Sequence, residues 1–211
     1  MRARTAHSEQ LALVLFAAFV LTACGSAEPA EIAVTTQPPD PSRAPAELRW
    51  ENYQGVQLPI GGKDGPTKLA SVPIGYTHTP QGAALAAINH SARLSLAPDS
   101  VWPALAANVL QPGPGKDAWV LARVQLSITA ATDPAVAPHF TAYKITTYDP
   151  ARTTLTVYAT YSDASITATD TTVTWSAEDW RLLLPDPAAK TVTVHSVKSV
   201  PADAVALAAA K

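Results

Sequence analysis

The middle of the chain carries apolar residues at helical spacing. A stripe with intervals of three and four is formed by Leu85, Ile88, Ala92 and Leu96. Thr79 is a suitable N-cap for this helix, and Pro80 suits its first position, where a missing N–H costs nothing. Pro98 ends it. The pattern predicts a helix from Thr79 to just before Pro98.

Two shorter helices are predicted after Pro98. One begins at Asp99 or Ser100 and ends at Leu110. The other covers about residues 116–128, where β-branched residues weaken the helical prediction.

After Asp133 and Pro134 the period changes to two, which is typical of half-buried strands. The predicted strands are 139–148, 153–161, 171–175, 180–184 and 191–197. Short turns between them indicate antiparallel hairpins. Trp175 and Trp180 fall opposite each other across one hairpin, where the pair would serve core packing or, as the less favoured alternative, a ligand platform.

Helices followed by antiparallel strands predict an α+β fold, with N-terminal helices packed on a curved antiparallel sheet. A β-sandwich-like fold is the alternative. We expect one domain over residues 48–200. Residues 49–59 are predicted as an irregular extended segment, and the Ala-rich residues 201–211 as a short helix or a frayed tail.

The N-terminus has the pattern of an export signal. Arg2 and Arg4 precede an apolar run from Leu11 to Val20, which has the length of a signal-peptide core. The next residues, Leu21-Thr22-Ala23-Cys24, resemble the lipobox of bacterial lipoproteins. This resemblance implies a signal peptide over residues 1–23, cleavage between Ala23 and Cys24, and a diacylglycerol group on the Cys24 sulfur. An ordinary signal peptide and a retained transmembrane anchor are the alternatives.

Composition predicts a tether and argues against nucleic-acid binding, disulfides and thiolate metal sites. Residues 24–47 are rich in proline and poor in large apolar groups, so a solvated tether is expected there. The chain has 211 residues and a formal net charge of −2, which gives no basic patch for nucleic acid. Cys24 is the single cysteine, so the domain has no disulfide and no thiolate metal site.

Two motifs resemble a family of uncharacterised actinobacterial envelope proteins. The segment from Gly75 to Ala87 resembles its G-[FY]-x-x-[ST]-x-x-G-A-x-x-A-A pattern, and Val173 to Arg181 its V-x-W-x-x-x-D-W-R pattern. The resemblance implies an envelope lipoprotein whose relatives are often found near conjugation or integrative-element genes. The family has no established activity. The order of elements is also similar to the cone-shaped fold of nuclear transport factor two.

The sequence carries no catalytic, cofactor or metal motif. No H-E-x-x-H, G-x-S-x-G or P-loop pattern is present, so we expect a protein that is not an enzyme and holds no cofactor or metal. The candidate interaction segment consists of Gly75, Tyr76, Thr79 and Gly82, at a capped helix start. Its alternative role is to allow close packing of small residues.

The expected function is a lipid-anchored protein on the outer face of the cell membrane. It would contact the membrane through Cys24 and an envelope protein through its domain, within a conjugation-type or secretion-type assembly. The alternative is a binding protein for a small apolar ligand or lipid. A flat exposed apolar patch would favour the first function, and a deep apolar cavity the second.

Overall fold

A computed structural model describes residues 38–208 of the chain, and these residues fall within one compact unit. The α-helices of this part are α1 (Pro80–Leu96), α2 (Trp102–Val109) and α3 (Pro114–Arg123). Its strands are β1 (Leu48–Tyr53), β2 (Val56–Gly61), β3 (His139–Asp149), β4 (Arg152–Thr160), β5 (Ile166–Ser176), β6 (Asp179–Leu182), β7 (Val194–Val197) and β8 (Val205–Ala206). A short 3-10 turn covers Pro187–Ala189.

The strands form two open antiparallel sheets, and the predicted α+β class is confirmed. β1 and β2 pair only with each other, as a hairpin. The other six strands form one sheet in the order β6-β5-β4-β3-β8. The remaining strand, β7, pairs with the same edge of β5 as β6 does. Strand β6 pairs with Val173–Ser176 of β5, and β7 pairs with Ile166–Thr169. The chain between β6 and β7 therefore leaves the sheet and returns to it.

Helix α1 is the centre of the core. Thr79 caps it by accepting a hydrogen bond from the Gly82 N–H at 3.1 Å, as the sequence predicts. Every residue from Pro80 to His90 is buried, although the sequence predicts a single apolar stripe. A helix with small or apolar residues on all sides can be enclosed on all sides. Here the alanines allow that enclosure, and α1 contacts both sheets.

Adjacent polar residues of α1 bind the two sheets. The Asn89 side-chain amide donates to the carbonyl of Pro59 on β2 at 2.9 Å. His90 Nε2 lies 3.0 Å from the carbonyl oxygen of Trp180 on β6. The main apolar cluster around α1 includes Leu85, Ile88, Leu105, Leu110, Tyr143, Leu155, Val173, Trp180 and Leu182.

The first folded segment is a regular hairpin, so the prediction of an irregular segment over residues 49–59 is wrong. Gln54 and Gly55 join the strands with φ angles of 51° and 84°. Two consecutive positive φ values are typical of a two-residue hairpin turn whose twist matches the strands. Gly55 adopts one of these positive φ angles without strain. The Gln54-Gly55 dipeptide was therefore the sequence signal for a hairpin turn.

The C-terminal segment is also a strand where a helix or frayed tail was predicted. Residues Val205–Ala206 form β8, which pairs with Ala142 and Tyr143 of β3. Val205 and Leu207 are buried, because they cover the edge of β3 and complete the core there.

The described residues of the predicted tether contact the domain. The Gln81 side-chain amide donates to the carbonyls of Asp40 and Arg43 at 2.8 and 2.9 Å, and Pro45 is buried. The folded part therefore begins near residue 40 and not at residue 48.

Helix α3 ends at Arg123, five residues before its predicted end. Among residues 38–208, no helix is long and apolar enough to cross a membrane.

Candidate functional site

The segment that enters α1 is held by the β5–β6 hairpin. The N–H groups of Gly75 and Tyr76 donate to the Asp179 carboxylate at 2.7 and 3.2 Å. The Trp180 indole N–H donates to the carbonyl of Thr77 at 2.9 Å. Gly75 has a φ of +83°, a conformation that glycine adopts without strain. These N–H groups bind a carboxylate of the protein itself.

The four residues of the candidate interaction segment lie in this junction. Tyr76 and Gly82 are buried, and Gly75 and Thr79 are half-buried. A Cβ atom on Gly82 would lie 2.0 Å from the Thr77 carbonyl oxygen, so only glycine fits there. The geometry accounts for all four residues through packing and capping, and their role in an interaction stays a prediction.

The two tryptophans pair across the hairpin in the predicted register. Trp175 lies opposite Trp180, and their ring centroids are 5.3 Å apart in an edge-to-face arrangement. Trp180 is 1% exposed and belongs to the core. Trp175 is half-buried, and the exposed His78 ring stacks on it at 3.9 Å. The pair fixes the hairpin against the segment before α1.

A cleft lies between the second half of α1 and the inner face of the main sheet. It has a volume of about 300 Å³, and Ile88, Ala92 and Leu96 line its helical side. Strands β4 and β5 contribute apolar groups and threonine hydroxyls, with Val157, Ala159, Thr169 and Thr171 among them. A wider depression of about 710 Å³ adjoins it at Ser91, Thr169 and Thr171 and extends to the segment that leaves β6. Volumes of this order are those of small-molecule sites.

A buried polar cluster lies on another side of α1. Arg93 is 2% exposed, and its guanidinium lies 4.2 Å from the centre of the Tyr53 ring. The rings of Tyr76 and His90 meet edge to face at 5.2 Å. Burial raises the pKa of the Tyr76 hydroxyl well above its usual value. We call Tyr53, Tyr76, His90 and Arg93 the Arg93 cluster.

His90 is neutral at pH 7. Burial lowers the pKa of its imidazole from 6.5 to about 4. A carbonyl oxygen can only accept, so Nε2 carries the proton and donates to Trp180. Nδ1 then presents a lone pair in the cluster.

Helix α3 presents an apolar patch on its C-terminal side. Leu121, Val124 and Leu126 are each 61–67% exposed, and together we call them the α3 patch. Arg123 is the single charged residue between Asp117 and Asp133, and it is 3% exposed. No side chain of this stretch exposes a charge, and the partly exposed Asp99 carboxylate lies beside it, bonded to Ser127 and Ile128.

The histidines of the main sheet do not converge on a common site. His139 contacts Trp50, and His195 lies 3.4 Å from the Asp170 carboxylate, on other parts of the sheet. Within residues 38–208, no three His, Cys, Asp or Glu side chains are grouped as metal ligands. The predicted cleavage and lipidation site, Ala23 and Cys24, lies outside the described residues.

Sequence reasoning missed the Arg93 cluster and the cleft. The available signal for the cluster was the run Asn89, His90 and Arg93 on a helix whose other flanks are alanine. Polar residues on such a helix become buried when all its faces are covered. The cleft had no local signal, because its walls come from elements far apart in the chain.

The fold and its surfaces define an α+β domain built around one buried helix, with a cleft against an antiparallel sheet and an uncharged apolar patch. The chain belongs to the family described as Domain of unknown function (DUF8175), whose model matches residues 19–202. No match was found among the curated proteins or the solved structures.

Proposed function

We propose that this chain is an exported lipoprotein, anchored through Cys24 to the outer face of the cell membrane, whose domain binds an envelope protein without catalysing a reaction. The lipobox-like sequence Leu21-Thr22-Ala23-Cys24 supports the anchor. The resemblance to envelope proteins near conjugation genes supports an assembly role.

The α3 patch is the observation that carries the protein-binding role. Its three large apolar side chains are mostly exposed and follow one another at the end of α3. The surrounding stretch exposes no charge, and the centres of protein interfaces are depleted of charged residues. Contiguous exposed apolar patches mark interaction sites in many proteins.

Crosslinking in intact cells tests this role. The full chain with a C-terminal tag would be crosslinked and purified, and its partners identified by mass spectrometry. We expect a stoichiometric envelope protein with the natural chain and its loss in Leu121→Asp. Val192→Asp is the matched control, because Val192 is as exposed as Leu121 but lies outside the patch. Equal recovery of the partner with both variants would contradict the proposal.

The anchor has its own test. Cys24→Ser removes the sulfur that would accept the diacylglycerol group, so we expect no lipid labelling and accumulation of uncleaved precursor. Normal cleavage of this variant would indicate an ordinary signal peptide.

The cleft favours a second candidate function, the binding of a small apolar ligand or lipid. Its 300 Å³ are lined mainly by apolar groups of α1 and the sheet. Native mass spectrometry of the protein from its own cells is the test. A bound lipid lost in Ala92→Trp, which would fill the cleft, supports this function, and a ligand-free protein contradicts it.

A further inference from the structure

Two arginines of this domain are buried, and Arg123 shows what a buried guanidinium needs. It pairs with the Asp99 carboxylate at 2.9 Å. It also donates to the carbonyls of Ala97 and Leu126 at 2.8 and 2.7 Å. A buried charge is tolerated when it is paired and its hydrogen bonds are satisfied.

Arg93 is buried equally deeply with far fewer partners. Its one hydrogen bond, to the carbonyl of Ala70, has the long distance of 3.4 Å. The Nε atoms of both arginines lack a partner, so the difference lies in the terminal guanidinium nitrogens. No carboxylate of residues 38–208 lies within 4.0 Å of it. Glu51 on β1 is a nearby acidic group that acts on it from beyond that distance. No carboxylate therefore pairs with Arg93 at short range, and its guanidinium contacts the face of the Tyr53 ring instead.

The side chains around Arg93 also have unused hydrogen-bonding atoms. The hydroxyl groups of Tyr53 and Tyr76 and the Nδ1 atom of His90 are buried without a partner. Most buried polar atoms in proteins are hydrogen-bonded, so several unsatisfied atoms around one charge call for an explanation. The two tyrosine hydroxyls are donors and would complement the guanidinium around an anionic group, whereas His90 Nδ1 is an acceptor and would not bind one.

We propose that the Arg93 cluster binds one carboxylate group of a small ligand. A guanidinium presents parallel N–H donors that match the two oxygens of a carboxylate. The hydroxyls of Tyr53 and Tyr76 supply further donors. A single negative charge neutralises Arg93, whereas a phosphate dianion would leave one charge uncompensated in a buried site.

The ligand would enter beneath the loop of residues 67–74. This loop supplies the Ala70 carbonyl that faces Arg93, and it closes on itself through hydrogen bonds between Lys68 and Ile74. Most of the loop is exposed, with Lys68 and Ser71 at its surface. The carboxylate would replace the long bond to Ala70. This site is separate from the α3 patch, so it does not depend on the proposed protein-binding role.

Acetate titration of the full chain in detergent tests the proposal. Thermal unfolding at pH 7 would be followed in sodium acetate and in sodium chloride of equal ionic strength. At ten times the dissociation constant, acetate should raise Tm by roughly 3–5 °C over chloride. Arg93→Met should abolish the difference, whereas Arg43→Met should keep it, because Arg43 is about half exposed and already pairs with Asp64.

Several outcomes would overturn the proposal. An equal acetate effect in Arg93→Met would mean a general solvent effect, with water satisfying the cluster. Equal stabilisation by chloride and acetate would mean a halide site. If Arg93→Met does not fold, acetate binding would instead be measured by saturation-transfer NMR of the acetate methyl group. The natural chain would then be compared with Tyr76→Phe. The signal should fall several-fold in Tyr76→Phe, and an unchanged signal would exclude this cluster as the site.

Discussion

Arg93 and Arg123 occupy equivalent positions and have opposite surroundings. Each is the basic residue in the last turn of its helix, α1 or α3. Each lies over an aromatic ring, Tyr53 or Trp102. Arg123 has a carboxylate and two carbonyls within 3 Å, whereas Arg93 has one carbonyl at 3.4 Å.

This difference in surroundings indicates that Arg123 has a structural role, whereas Arg93 is the arginine that we propose binds a ligand. Arg123 joins the end of α3 to the turn after α1 through Ala97 and Asp99. Hydrogen bonds from Ile128, Ser127 and Arg123 lower the pKa of the Asp99 carboxyl from 3.8 to about 2. Arg93 joins α1 to the loop at Ala70 through a single long hydrogen bond. Its internal contacts are one long hydrogen bond and the face of the Tyr53 ring, and a ligand carboxylate would add the ion pair that it lacks.

The largest predicted effect comes from Trp180, whose carbonyl accepts a hydrogen bond from His90 of the Arg93 cluster. Trp180→Ala removes a core ring and its bond to Thr77, so the free energy of unfolding should fall by about 3–5 kcal/mol. Urea unfolding measures this loss. Trp119→Ala, on the Arg123 side, is the control. Because Trp119 is half-buried, its loss should be smaller, and equal losses would show that both sides depend equally on aromatic packing.

The sequence allowed the elements with strong local signals to be predicted. The N-cap at Thr79 and the register of Trp175 with Trp180 depend on neighbouring residues, and both are confirmed. The strand at Val205 was missed because alanines around it favour a helix, and its partner Tyr143 lies 62 positions earlier. The Arg93 cluster was missed for the same reason: Tyr53, Tyr76 and Arg93 come from three separate segments.

The second prediction concerns pH and the histidine of the Arg93 cluster. The folded-state pKa of His90 is about 4, below its usual 6.5, so the unfolded chain binds the proton more readily. Stability is therefore full above pH 6.5 and falls as the pH decreases toward 4, by about 3 kcal/mol in total. Urea unfolding between pH 7 and 4 measures it.

The His90→Gln variant is the control for this pH dependence, because glutamine does not titrate. Its stability should change much less across the same range. The stability that depends on Asp99, the partner of Arg123, should be lost in a different pH range. The lowered pKa of Asp99 gives stability that is lost only below about pH 4, as this carboxyl becomes protonated. A pH profile of His90→Gln that follows the natural chain would place the titrating group elsewhere.

The third prediction removes the structural arginine. Arg123→Met keeps most of the apolar stem and leaves the buried Ala97 carbonyl without its donor. Asp99 is partly exposed and keeps its bonds to Ser127 and Ile128, so it tolerates the loss of its partner. We expect a loss of about 2 kcal/mol, below the 3–5 kcal/mol typical of a fully buried pair. Thermal unfolding measures it, and no loss would mean that these bonds contribute no net stability.

The smallest effect, and the most informative, is expected for Arg93→Met. Without a bound carboxylate, this change removes a buried charge that no carboxylate pairs, together with the contact of the guanidinium with the Tyr53 ring. The free energy of unfolding should change by no more than about 1 kcal/mol, toward greater stability. Saturating acetate should reverse the order, because it stabilises the natural chain alone. A loss of 2 kcal/mol or more in chloride would show that Arg93 is held by internal contacts as Arg123 is, and the distinction between the two arginines would fail.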